Sequence, residues 1–239
     1  MIVKDVMTTK LVTVTPDDTL SHAANLLRQY QFHHLPVVQA SDTYSQQGPL
    51  YFEGLLTSQD IDLAVALAMQ ETGDAPQRPW QERHVTEVMH RASMRVTTTT
   101  SVAAAAQILV ERGLNCLPVV EYAQAEERTR TVLVGLLTRS DLLMALARAL
   151  GAFEPGMQLV IPLPLGNPAP LAHMLLLAAE LHVQVRSIMA APLEGGVPHI
   201  ALVRLGTINP TPLLMRLQEA NIQYMFAEPH IEGDIHGHA

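Results

Sequence analysis

Cysteine is almost missing from this chain. Cys116 is the only one in 239 residues, so no intrachain disulfide can form, and a cytoplasmic address is expected. Aromatic residues are scarce at 4%, with a single Trp, which leaves the core to aliphatic side chains. No apolar run reaches the ~18 residues of a bilayer span, and the start, with Lys4 and Asp5 together, carries no apolar signal core. Positive charge is also short: 15 Lys and Arg stand against 23 Asp and Glu, for a formal net charge of −8. That excludes a large basic surface for nucleic acid, although one pocket can still carry the opposite local sign. Catalytic and metal signatures are absent too. There is no Cys-x-x-Cys, His-Glu-x-x-His, Gly-x-Ser-x-Gly or Gly-rich phosphate loop. His33 and His34 are adjacent rather than four apart. Cys116 sits in a strand-like run and reads as a buried structural thiol. His230, His236 and His238 fall in a C-terminal tail, 229–239, that reads as flexible. No catalytic centre, catalytic cofactor or metal site is expected.

What is present is a sentence written twice. Val3-Lys4-Asp5-Val6-Met7 returns as Val85-Thr86-Glu87-Val88-Met89, and Leu35-Pro36-Val37-Val38 as Leu117-Pro118-Val119-Val120. Gly54-Leu55-Leu56-Thr57-Ser58-Gln59-Asp60 returns as Gly135-Leu136-Leu137-Thr138-Arg139-Ser140-Asp141. The offset is 82 residues for the first two blocks and 81 for the third. Three blocks in one order mark an internal duplication. Within each copy, Leu11 to Thr15 reads as a short strand, and Leu20, Ala23, Ala24 and Leu27 recur at helical spacing. Leu35 to Val38 is a strand with Pro near its start. Gly54 to Leu56 is another strand, and the Thr57 to Asp60 turn opens a helix. Each copy is therefore β-α-β-β-α, too small for an independent core, so the two should pack together.

These blocks resemble a tandem pair of CBS domains. The Val-x-Asp/Glu-Val-Met opening, the Leu-Pro-Val-Val strand and the Gly-Leu-Leu-Thr-x-x-Asp ending are all present in both copies. The boundaries expected are 1–72 and 85–150 for the repeats, with a linker at 73–84. The resemblance implies a pseudo-twofold pair with adenine nucleotide (AMP, ADP or ATP) held in the cleft between repeats. Thr57 and Asp60, and likewise Thr138 and Asp141, would supply a hydroxyl and a ribose-binding carboxylate at a helix start. The same spacing also suits plain helix caps. His33, His34 and Pro36 in the first copy, and Asn115, Cys116 and Pro118 in the second, occupy positions near phosphate and adenine in that family. Arg139 and Ser140 lie in a turn whose first-copy counterpart, Ser58-Gln59, has no cation. Val12 and Met94 would flank the base. The two half-sites are thus expected to be unequal.

Past Gly151 to Gly156 the texture changes. Strands are expected at Met157 to Ile161, Val185 to Leu193, His199 to Leu205 and Ile222 to Ala227, with helices at Pro170 to Leu181 and Pro212 to Ala220. Gly195-Gly196 signals a hairpin, and Asn167-Pro168 and Asn209-Pro210 supply turn and cap chemistry. The order β-α-β-β-α-β is ferredoxin-like, and behind a CBS pair it resembles an ACT domain, at 157–228. Ligand-binding ACT domains often carry an Asp-x-x-Gly-x-Leu turn. This chain has Gly166-Asn167-Pro168-Ala169-Pro170-Leu171, which favours a structural or dimerising role over amino-acid binding.

The fold class expected is α+β: tandem CBS repeats followed by a ferredoxin-like, ACT-like module. As a whole the chain resembles acetoin-utilisation-type bacterial CBS–ACT proteins. This implies a non-enzymatic, ligand-sensing regulator, a homodimer, with a protein target, no nucleic-acid partner and no membrane span. The competing readings are a dimerisation scaffold whose clefts take no ligand, and an unrecognised enzyme.

Overall fold

The computed structural model describes residues 1–40, 48–70, 78–91, 94–125, 128–190, 196–207 and 209–226. Gly73 to Gln77 of the linker, Gly195 of the hairpin signal and the tail 229–239 lie outside the described residues. Two compact units divide the chain, Met1–Leu143 and Met144–Ala239.

The duplication folds as α1 (Leu20–Tyr30), β1 (His34–Ala40), β2 (Leu50–Thr57) and α2 (Ser58–Gln70), then α3 (Val102–Glu111), β3 (Cys116–Ala125), β4 (Arg128–Thr138) and α4 (Arg139–Ala149). Thr19 and Ser101 cap α1 and α3 by accepting backbone N–H bonds from His22 and Ala104. Each repeat makes one antiparallel hairpin, with a register shift at Val37/Val38 and at Val119/Val120. The hairpins join where Tyr51 of β2 faces Val132 of β4, giving the order β1-β2-β4-β3. Arg130 lies 4.7 Å over the Tyr51 ring at that seam.

The expected strand at Leu11 to Thr15 is reduced to one parallel bridge, Val14 to Val37. Val14 spends its N–H on the Pro36 carbonyl and its own carbonyl on Val38. Asp18 then takes the Thr15 N–H at 2.6 Å, and Pro16 has no donor with which to extend the ladder.

The leading segments exchange partners. Val3–Asp5 and Val85–Glu87 each form one 3-10 turn. Val3 is fully buried in the second repeat's core with Leu109, Leu117 and Leu137. Val85 is buried in the first repeat's core with Leu20, Leu35 and Leu56. Each valine contributes about 2 kcal/mol by leaving water. Backbone bonds lock the exchange: Val3 N–H donates to Thr100 and Lys4 to Thr98, while Val85 donates to Asp18 and Thr86 to Pro16.

The C-terminal unit holds β5 (Met157–Pro162), α5 (Ala169–Glu180), β6 (Val185–Met189), β7 (Ile200–Leu205), α6 (Thr211–Glu219) and β8 (Met225–Phe226). The strands are all antiparallel in the order β6-β7-β5-β8. Alternation places Leu159, Ile161, Ala201, Val203 and Leu205 in one core with Met174, Leu177, Leu213 and Leu217 from the helices. Asn167 and Asn209 accept from the backbone N–H groups of Ala169 and Thr211, opening each helix past its proline. β8 starts later than expected because Ile222 donates its N–H to Leu217 and closes α6 instead. Asn221 takes the left-handed conformation there, at φ 53°.

Candidate ligand cleft between the repeats

Both Thr-x-x-Asp turns close on themselves. Asp60 Oδ2 accepts from the Thr57 backbone N–H at 2.8 Å and from its hydroxyl at 2.7 Å, while Thr57 Oγ1 accepts from the Asp60 N–H at 3.1 Å. Thr138 and Asp141 repeat this with the same distances. Each turn is a reciprocal cap on α2 or α4, so both threonine hydroxyls are already committed. The loop before each Pro strand holds the same helix start: Ser58 donates its N–H to His33 O, and Arg139 to Asn115 O.

The exchanged leading segments then reach both aspartates. A two-bond bridge pairs Thr8 with Leu136, and another pairs His90 with Leu55. Thr8 and His90 occupy the same place in the duplication, and each meets the other repeat's carboxylate. Thr8 Oγ1 donates to Asp141 Oδ1 at 3.1 Å. His90 Nδ1 lies 3.3 Å from Asp60 Oδ2.

A cleft of about 570 Å³ opens at the Asp141 end. Of the residues singled out from sequence, the structure brings Val12, His33, His34, Pro36, Asn115, Thr138, Arg139 and Ser140 to its wall. Asp141 stands behind Thr8, which lines the cleft. Thr57 and Asp60 belong to the other helix start. Met94 packs against the second repeat's core. Cys116 is buried with Leu55 and Leu136, and burial pushes its thiol up to about 12. Pro118 is buried in β3 opposite Leu136.

Sequence reasoning passed over Thr8, Lys10, Gln31 and Phe32, which also line the cleft. The pairing of Thr8 with His90 in the duplication was the available signal for the first. Lys10 matters most, because with Arg139 it gives the wall two fixed cations, and no carboxylate lines it among the described residues. Arg139 is not a loose surface cation. Its Nε donates to Leu114 O at 2.8 Å and an Nη to Leu109 O at 3.4 Å, which fixes the guanidinium against the end of α3. Leu11, Val12, Pro36 and Leu136 supply an apolar floor. Burial, reinforced by neighbouring His33, pushes the His34 imidazole below its ordinary value. Asp60 opposes that shift and His90 adds to it. Among the described residues no cluster of His, Cys, Asp and Glu is placed to hold a metal, and no helix is long and apolar enough to cross a membrane.

The CBS domain family matches residues 3–66 and 85–148, both copies of the duplication. The chain belongs to the CBS domain family. The CBS domain-containing protein YhcV of Bacillus subtilis is 31% identical over 140 residues, covering 59% of this chain and 81% of that one. A CBS domain-containing protein of Dictyostelium discoideum is 27% identical over 156 residues, covering 65% of this chain and 97% of its own. Among solved structures, an acetoin utilization protein (AcuB) of Vibrio cholerae is 26% identical, with a TM-score of 0.47. That likeness covers 65% of this chain and 98% of the Vibrio protein. The family match begins at Val3 in one copy and at Val85 in the other, and so includes both leading segments.

Proposed function

We propose that this protein is a ligand-sensing regulator that binds an adenine nucleotide in the cleft at the start of α4. The observation that carries the reading is the cleft wall: Lys10 and Arg139, two imidazoles, an apolar floor and, among the described residues, no lining carboxylate. An anionic ligand fits that field even on a chain of net charge −8. Asp141 Oδ1 would accept from the ribose diol in place of the Thr8 hydroxyl, with Ser140 at the same helix start. Lys10, His33 and Arg139 would meet phosphate, and Leu11, Val12, Pro36 and Leu136 would flank the base. Membership in the CBS family supports the same ligand class and a regulatory rather than catalytic role.

The signal would pass along α4, which begins at this cleft, into a C-terminal ACT-like module and so to a dimer partner or target protein. Support for the module is its βαββαβ order with strand order β6-β7-β5-β8. Such a relay requires the ligand to bind two arrangements with different affinity. Isothermal titration calorimetry of the whole chain with AMP, ADP and ATP tests the reading. Saturable binding of at least one nucleotide supports it, and no heat at millimolar ligand overturns it. One observation favours the second reading, a dimerisation scaffold that takes no ligand: both Thr-x-x-Asp turns are complete caps without one.

A further inference from the structure

We infer that the chain takes one nucleotide rather than two, because the half-site at Asp60 is filled from within by His90. The inference rests on the nucleotide reading above and concerns how many ligands that reading allows. The duplication makes two helix starts with the same cap geometry, so symmetry alone would give two equal sites. Position by position, they are not equal. Arg139 has Ser58 as its counterpart, His33 has Asn115, and His34 has Cys116. Lys10 corresponds to Ala92 in the sequence. Each cation or imidazole of the cleft thus has a neutral counterpart in the duplication.

Where the cleft has Thr8 the second half-site has His90, and its imidazole is spent on Asp60. Thr8 leaves Asp141 with a neutral hydroxyl partner that a ribose hydroxyl can replace bond for bond. His90 instead puts an imidazole 3.3 Å from Asp60 Oδ2, on the oxygen that already accepts both Thr57 bonds. Its backbone is held by two bonds to Leu55, 3.0 and 3.1 Å long, as that of Thr8 is held to Leu136, so the two half-sites differ here in the side chain and not in the backbone. A ligand there would lose the Asp60–His90 contact.

Calorimetry with AMP, and with ATP as a second probe, on the full chain reads this directly. The expected result is one nucleotide per chain. Asp141→Asn should weaken binding about tenfold, the worth of a hydrogen bond to a charged acceptor, and Asp60→Asn should leave affinity within about twofold. Imidazole NMR resonances give an independent readout: AMP should move those of His33 and His34 and leave those of His90 in place. Two nucleotides per chain, or loss of binding in Asp60→Asn, overturns the inference while leaving the nucleotide reading intact. Failure of the unaltered chain to bind either probe overturns both.

Discussion

His34 lies where burial and charge act on one imidazole. Unfolded, it should take up a proton near pH 6.5; folded, its pKa is lower because burial disfavours the cation. Between the two values the unfolded chain holds more protons, so stability rises with pH through that window. It is fully present above about pH 6.5 and lost as the pH falls toward the folded value. Urea midpoints should therefore drop between about pH 7.5 and about pH 5.5, and His34→Gln should flatten the slope; an unchanged slope would show that His34 carries none of it. Cys116 behaves in the opposite sense. With its thiol pushed up to about 12 and only 5% of the residue exposed, it is a thiol at neutral pH and a poor nucleophile. Alkylation by iodoacetamide should be slow in the native protein and complete in urea. At this scale the sequence was legible in type more than in placement. His33, His34, Arg139 and Ser140 could be named, because duplicated blocks point to them. Lys10 could not, since its value comes from lining the same cleft as Arg139.

At the scale of elements, the two strand glycines show how near-identical blocks acquire different costs. A Cβ on Gly54 would stand 2.7 Å from the His90 carbonyl oxygen, which is held by its bond from Leu55 N–H. A Cβ on Gly135 would meet the Met7 sulfur at 2.6 Å, the middle of a flexible side chain, and the Thr8 carbonyl at 3.2 Å. Gly54→Ala should cost about 2 kcal/mol and Gly135→Ala about 1 kcal/mol, measured by urea unfolding. Equal costs would mean that the bridge at His90 yields as readily as the methionine. Helices and hairpins were readable because periodicity and caps act locally, as at Leu20 to Leu27 with Thr19. The Leu11 to Thr15 segment forms less strand than its composition suggests, because its β-prone residues find only one bridge partner, Val37, before Pro16 and Asp18 turn the chain. β8 begins at Met225 rather than Ile222 for a related reason, since the Ile222 N–H is claimed by α6.

At the scale of the whole molecule, Leu63, Leu67 and Met69 on α2 are 60%, 48% and 77% exposed, and Leu143 on α4 is 67% exposed. Apolar groups repeated on the outer faces of both repeat-closing helices fit the homodimer that the CBS resemblance implies. Sedimentation velocity at micromolar concentration should give a dimer, and Leu63→Glu combined with Leu67→Glu should shift it toward monomer. A monomeric unaltered chain would refute this assembly. The C-terminal unit tests separately: without Asp-x-x-Gly in its first turn, it is expected to give no heat with the common amino acids in calorimetry.

The duplication, the order of elements, the caps and the CBS likeness are all written in the amino-acid order, because each depends on residues close together or on blocks repeated in register. Which repeat each leading segment serves is set only by long-range packing. Val3 and Val85 look like the first residues of their own copies, yet each is buried in the other's core. No local pattern records that exchange, since burial depends on what arrives from elsewhere in the chain. The exchange is also what brings Thr8 to Asp141 and His90 to Asp60, and so makes two copies of one motif into two different environments.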